Sequence, residues 1–203
     1  MLVNALLHSF RRGAHIMGMP QAARDWTVQR VLALPDDGNR YEVVDGELLV
    51  TPAPTFHHQD AIFALAWRLK PFVDSSSGGY LSLSPADMEL DERTLVQPDL
   101  FVFELPGGRR PQRWADITKI LLAIEVLSPS TARADRHVKR RRYQRQGISE
   151  YWIVDLDSRL VERWRPTDDR PEILSETLVW QPPDSTAPFE LGLAAFFAEV
   201  LDR

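Results

Sequence analysis

Residues 120–127 read ILLAIEVL, and the only polar side chain among them is Glu125. A run that is apolar on both faces predicts a central strand covered from both sides. A carboxylate inside such a strand needs a partner or a metal. Ser128-Pro129 ends the run, and Ser130 or Thr131 can cap a helix expected from Ala132 to Gln146. Gly147 is its expected stop. EYWIVD at 150–155 reads as the next strand.

Upstream, YLSLSPADMELD and LVQPDLFVFEL read as two strands with the acidic DER between them as a turn. In the second, Asp99, Phe101 and Phe103 share one face, and Leu100 and Val102 share the other. RYEVVDGELLVTP is a hairpin, because Asp45-Gly46 between apolar-rich flanks accepts the backbone of a tight turn. Short and longer helices are expected at 25–34 and from Phe56 to Val73, the latter from the spacing of Ile62, Leu65, Ala66 and Leu69. Downstream, RLVERWR and ILSETLVW suggest a peripheral hairpin, and FELGLAAFFAEVL a short amphipathic helix. The fold class is therefore α/β, a mixed central sheet flanked by helices with peripheral hairpins.

The chain has 203 residues, 44% of them hydrophobic, which suits one domain rather than two. Residues 21–203 are taken as that domain and 1–20 as a flexible extension in which Met17 and Met19 are alternative starts. No cysteine is present, which excludes disulfides, thiolate metal sites and a cysteine nucleophile and suits a reducing, cytoplasmic setting. No stretch approaches the ~20 apolar residues of a membrane span. Net charge is −5, against a globally basic nucleic-acid binder, yet seven basic residues and one acid fall between Arg133 and Arg145. That patch attracts phosphate or is a solvated helix face.

Asp99 and Glu125 are acids in apolar strands, and if those strands are neighbours the two converge at one end of the sheet. Converging anions favour a hard divalent cation, Mg²⁺ or Mn²⁺. A salt bridge to arginine explains either acid alone. Asp135, Lys139 and Arg142 are spaced i, i+4, i+7 and would line one helix face, as a surface ion pair or with Lys139 aimed at the carboxylates. The sequence lacks HExxH, P-loop, GxGxxG and GxSxG patterns, which leaves zinc proteases, nucleotide binding and serine hydrolysis without support.

RYEVVDGEL, the following His58, VQPDLFVF, AIEVLSPST, Asp135 with Lys139 and Tyr143, and GISEYWIVD together resemble the Uma2 (DUF820) family of restriction-endonuclease-like proteins, within the PD-(D/E)XK nuclease superfamily. The resemblance spans about residues 25 to 200. It implies a restriction-endonuclease-like core and metal-assisted hydrolysis of DNA phosphodiesters with Mg²⁺ or Mn²⁺. Asp99 matches the PD acid and Glu125 the second acid, both as metal ligands, with the Val126 carbonyl as a third. Glu42 matches a further family acid. The usual lysine position holds Leu127, and Lys139 looks like a relocated lysine. Arg136, Arg140 and Arg142 would hold the DNA backbone. Analogy with such nucleases allows a homodimer. A decayed nuclease fold that binds nucleic acid or protein, and a metal-free glycosidase using the same two acids, are the rival readings.

Overall fold

A tight turn at Asp45-Gly46, both at positive φ (51° and 82°), joins β1 (Arg40–Val44) to β2 (Glu47–Thr51). This is the expected hairpin, and its register pairs Glu42 with Leu49. The computed structural model describes residues 25–76, 78–183 and 185–202. The expected N-terminal extension, 1–20, lies outside the described residues. Ahead of the hairpin, α1 (Val28–Leu32) is capped by Thr27, whose side chain accepts the Arg30 N–H. After it, α2 (Phe56–Ser76) carries Pro71 inside its last turns and runs past the expected end at Val73.

The two strands expected between Tyr80 and Leu105 are four. β3 (Gly79–Leu83) and β4 (Met88–Asp91) are separated at Pro85, and β5 (Thr94–Val96) and β6 (Leu100–Glu104) at Pro98. Proline has no N–H to donate to a ladder. At each proline the chain changes sheet, so β3 and β6 join one sheet while β4 and β5 join another. Asp99 consequently stands in the bend just before β6.

β7 (Ile120–Val126) is buried along its whole length, as expected of a central strand. The larger sheet has the order β10-β9-β8-β7-β6-β3, with β7 parallel to β8 (Glu150–Asp155) and the other neighbours antiparallel. The RLVERWR segment forms β9 (Leu160–Trp164), which pairs with β8 on one side and antiparallel with residues 172–174 on the other, so the expected hairpin with the start of ILSETLVW is present as the outer edge of this sheet. ILSETLVW divides into β10 (Glu172–Leu174), which continues the large sheet, and β11 (Thr177–Trp180), which pairs with β12 (Phe189–Gly192). The tail is therefore half strand, and its helix, α4 (Leu193–Leu201), begins only after Gly192. The smaller sheet has the order β2-β1-β5-β4.

Alternation along the central strands sorts the core. Leu100, Val102, Leu122, Ile124, Val126 and Trp152 pack toward α2 and α4. Phe101, Phe103, Ala123, Tyr151 and Ile153 pack on the other face, with Tyr143, Val44 and Val96. Each such side chain contributes roughly 1.5–3 kcal/mol on full burial. Glu125 falls on the second face by the same alternation. That face lies against the smaller sheet and the helix after β7, so a carboxylate there is enclosed.

Candidate active site

The connection from β7 to β8 carries the chemistry. Helix begins at Ala132, widens to a π turn over Ala134–Lys139, and continues as α3 (Arg140–Gln146) to Gly147 at φ 74°. The Arg140 N–H bonds the Asp135 carbonyl, five residues back. A wider turn rotates less per residue, so residues four and eight apart stay aligned. Asp135, Lys139 and Tyr143 therefore all face inward and are buried. Arg142, expected on that face from α-helical spacing, is carried off it and pairs with Asp91 at 2.7 Å and Asp45 at 3.7 Å. Thr131 does not cap the helix with its side chain. Its hydroxyl accepts the Ser128 N–H at 3.3 Å and stands 3.1 Å from the Ser128 hydroxyl.

Lys139 Nζ sits among three acids: 2.8 Å from Glu42 Oε2, 2.9 Å from Glu125 Oε1 and 3.5 Å from Asp135 Oδ1. Tyr143 also donates to Glu125 Oε1, at 3.2 Å. Glu42 reaches this point from β1, where its other oxygen accepts the Gln97 N–H at 2.7 Å. Register places Asp99 directly beyond the Leu100–Ile124 pair, opposite Glu125 on adjacent strands. Asp99 Oδ2 accepts the Val126 N–H at 2.9 Å and lies 3.3 Å from His58 Nε2, while Oδ1 accepts from Arg40 Nη1 at 2.9 Å. The structure thus brings Glu42, Asp99, Glu125, Val126 and Lys139 together. It adds Arg40, His58, Asp135 and Tyr143.

Of these, Arg40 escaped the sequence reading. Its signal is period-two alternation: Arg40 and Glu42 lie on one face of β1. Asp135 was legible as a helix-face neighbour of Lys139 and as part of the family pattern, but its burial was not, since that depends on the π turn. The three arginines expected to hold DNA are engaged by the protein itself. Arg136 bonds Asp155 at 2.7 Å and Glu162 at 2.6 Å, Arg140 stacks 4.5 Å from the Trp164 ring centre, and Arg142 takes Asp91.

The electrostatics divide the cluster. Four buried carboxylates, Glu42, Asp99, Glu125 and Asp135, surround the charged Lys139 and Arg40. Burial opposes the Asp99 carboxylate, yet His58, Arg40 and the Val126 N–H together hold its pKa below the usual value. Burial pushes Glu125 well above the usual value, with Asp135, Asp99 and Glu42 adding to outweigh the pull of Lys139. Asp135 is likewise raised, chiefly by burial. Burial disfavours the Lys139 ammonium, but Glu125, Glu42 and Asp135 keep it charged far beyond neutral pH.

Carboxylate oxygens are the donors a hard cation takes, and in this cluster Glu42 Oε2 and Asp135 Oδ1 are turned to the Lys139 ammonium, 2.8 and 3.5 Å away. Among the described residues, no three His, Asp or Glu side chains stand close enough together to form a complete metal cage. A cleft of about 1010 Å³ opens onto the Asp99 side, lined by Arg40, His58, Gln97, Asp99 and the Ser128–Thr131 turn. Glu125 and Lys139 lie behind Asp99, away from solvent.

A mixed sheet with two acids at the ends of adjacent strands, and a lysine from the next helix reaching the second of them, defines the restriction-endonuclease-like class. The chain belongs to the Uma2 family, whose model, described as "Putative restriction endonuclease", matches residues 28–195. No curated protein matches it. Its fold is similar to that of a "putative nuclease belonging to DUF820" from Anabaena variabilis ATCC 29413, with a TM-score of 0.68 and 20% identity over 87% of this chain and 99% of that one. Among the described residues, no helix is long and apolar enough to cross a membrane.

Proposed function

We propose that this protein is a divalent-metal-dependent endonuclease that hydrolyses DNA phosphodiester bonds at the Asp99–Glu125 site. The observation that carries the reading is the meeting of these two buried acids, opposite each other at the ends of adjacent strands, beside an open cleft. Asp99, Glu125 and the Val126 carbonyl would hold Mg²⁺ or Mn²⁺. Such an ion polarises a phosphoryl oxygen and lowers the pKa of a bound water.

The chain's own groups have separate tasks. Arg40 and His58 line the cleft and hold Asp99 ionised, and they are placed to meet the anionic substrate. Lys139 is only 1% exposed, so it acts by positioning Glu125 and Glu42 rather than by touching DNA. Its contact with Glu125 supports the relocated-lysine reading, with Leu127 at the usual position. Gln97 fixes Glu42 through its backbone N–H.

A second reading is a decayed nuclease that binds without cutting. It is favoured by the ion pairs Asp99–Arg40 and Glu125–Lys139, which already engage both acids. One experiment separates the two. Plasmid DNA is incubated with wild type, Asp99→Asn and Glu125→Gln protein, in Mg²⁺ or Mn²⁺ and in chelator. Cleavage by wild type alone, abolished by chelator, is the expected result. Equal cleavage by all three proteins rejects the site. DNA binding without cleavage in either metal establishes the second reading.

A further inference from the structure

The helix α2 buries Ala61, Ala64, Leu65, Leu69 and Val73 against the large sheet. Its opposite face is aromatic where a solvent face would be polar. Phe56 is 89% exposed, Phe63 68% and Trp67 70%, and the last two rings stack along the helix with centroids 6.2 Å apart. Contiguous exposed rings of this kind mark a surface that is covered by something.

The spacing says what covers it. The outward residues are Phe56, Asp60, Phe63, Trp67, Lys70 and Asp74, alternately four and three positions apart. That is the rhythm of a helix–helix seam. The order is also self-complementary. Laid against a second copy running the other way, with the twofold axis midway between Phe63 and Trp67, each Phe63 meets a Trp67 and each Asp60 meets a Lys70. A parallel pairing in register would set Asp60 against Asp60 and Lys70 against Lys70. A twofold contact requires this kind of mutual match, residue i on j and j on i.

We propose that α2 is the interface of a twofold dimer of this chain, with antiparallel helices joined by Phe63–Trp67 contacts and flanked by Asp60–Lys70 ion pairs. Lys70 already pairs with Asp74 on its own helix, so it would sit between two acids in the dimer. A helix of this length offers a seam of roughly 30 Å. The six rings of the two copies supply much of the ~1,200 Å² at which specific interfaces begin, which places the contact among the weaker ones. Phe63, Ile62 and Ala66 also line the cleft beside Asp99, so the pairing would set the two clefts on either side of one axis.

The test is the oligomeric state, which is read without any activity and therefore stands or falls apart from the nuclease reading. Sedimentation of the full chain from low to high micromolar concentration should show monomer giving way to dimer. Asp60→Lys alone, or Lys70→Asp alone, should raise the dissociation constant about tenfold or more, and D60K/K70D together should restore it. All four positions that make these contacts are on the surface, so circular dichroism should report an unchanged fold. A wild type that stays monomeric throughout overturns the proposal, as does a dimer indifferent to the single swaps. A monomer whose Trp67 fluorescence is quenched by single-stranded oligonucleotide would assign the stripe to nucleic acid instead.

Discussion

The carboxylate cluster has a cleft side and a core side, and the same residue type behaves oppositely on the two. Asp99 and Glu125 face each other across neighbouring strands. Asp99, at the cleft, is held ionised by Arg40, His58 and a backbone N–H. Glu125, in the core, shares one ammonium with Glu42 and Asp135 and has its pKa pushed well up by burial. Two like acids whose environments drive them apart are a recurrent feature of sites that handle protons or metals. The lesson is that strand position brings the acids together, while the surrounding donors decide their charge.

The strongest way to break the comparison is to remove one acid at a time. Asp99→Asn and Glu125→Gln are each expected to reduce plasmid cleavage by about a thousandfold, or ~4 kcal/mol of barrier. A variant that retained near-normal cleavage would show its side of the cluster to be dispensable. Next in size is Lys139→Met, which leaves three buried carboxylates facing one another. Breaking a buried pair by removing one partner costs about 3–5 kcal/mol, measurable by urea denaturation.

The pH dependence of stability sharpens the core side. Glu125 and Asp135 have pKa values raised on folding, so the folded chain holds their protons more tightly than the unfolded chain does. Their contribution is complete below the ordinary values of 4.5 and 3.8 and is lost as pH rises through the folded pKa. Asp99 has the opposite sign, and its contribution is lost only as pH falls below the ordinary 3.8. The urea midpoint should therefore fall as pH rises above the ordinary carboxyl range, and fall less in Glu125→Gln. A midpoint that rises there would contradict the assignment. The smallest effect expected is Arg136→Ala. Loss of its pairs with Asp155 and Glu162 should cost about 1 kcal/mol of stability and leave DNA affinity nearly unchanged.

The sequence made some of this visible through strong local signals. Asp45-Gly46 fixed its hairpin because few backbones other than a tight turn use that dipeptide, and 120–126 announced a central strand by lacking a polar face. The two acids were conspicuous because apolar strands rarely carry them. Other features depended on contacts that no local pattern contains. Pro85 and Pro98 sit within readable strands, and only the existence of two sheets turns them into crossing points. The π turn at Ala134–Lys139 leaves no mark in the spacing of apolar residues. It exchanges Arg142 for Tyr143 on the inward face and gives Asp135 its burial. The arginines of that helix were legible as charge, but their partners, Asp155, Glu162 and Asp91, come from distant strands.

The central claim is that Asp99 and Glu125 jointly hold a divalent cation. Mn²⁺ titration followed by electron paramagnetic resonance measures it directly. Wild type should bind the ion, and both Asp99→Asn and Glu125→Gln should lose that binding while remaining folded. Wild type that takes up no Mn²⁺, or a Glu125→Gln protein that binds it as tightly as wild type does, would contradict the account.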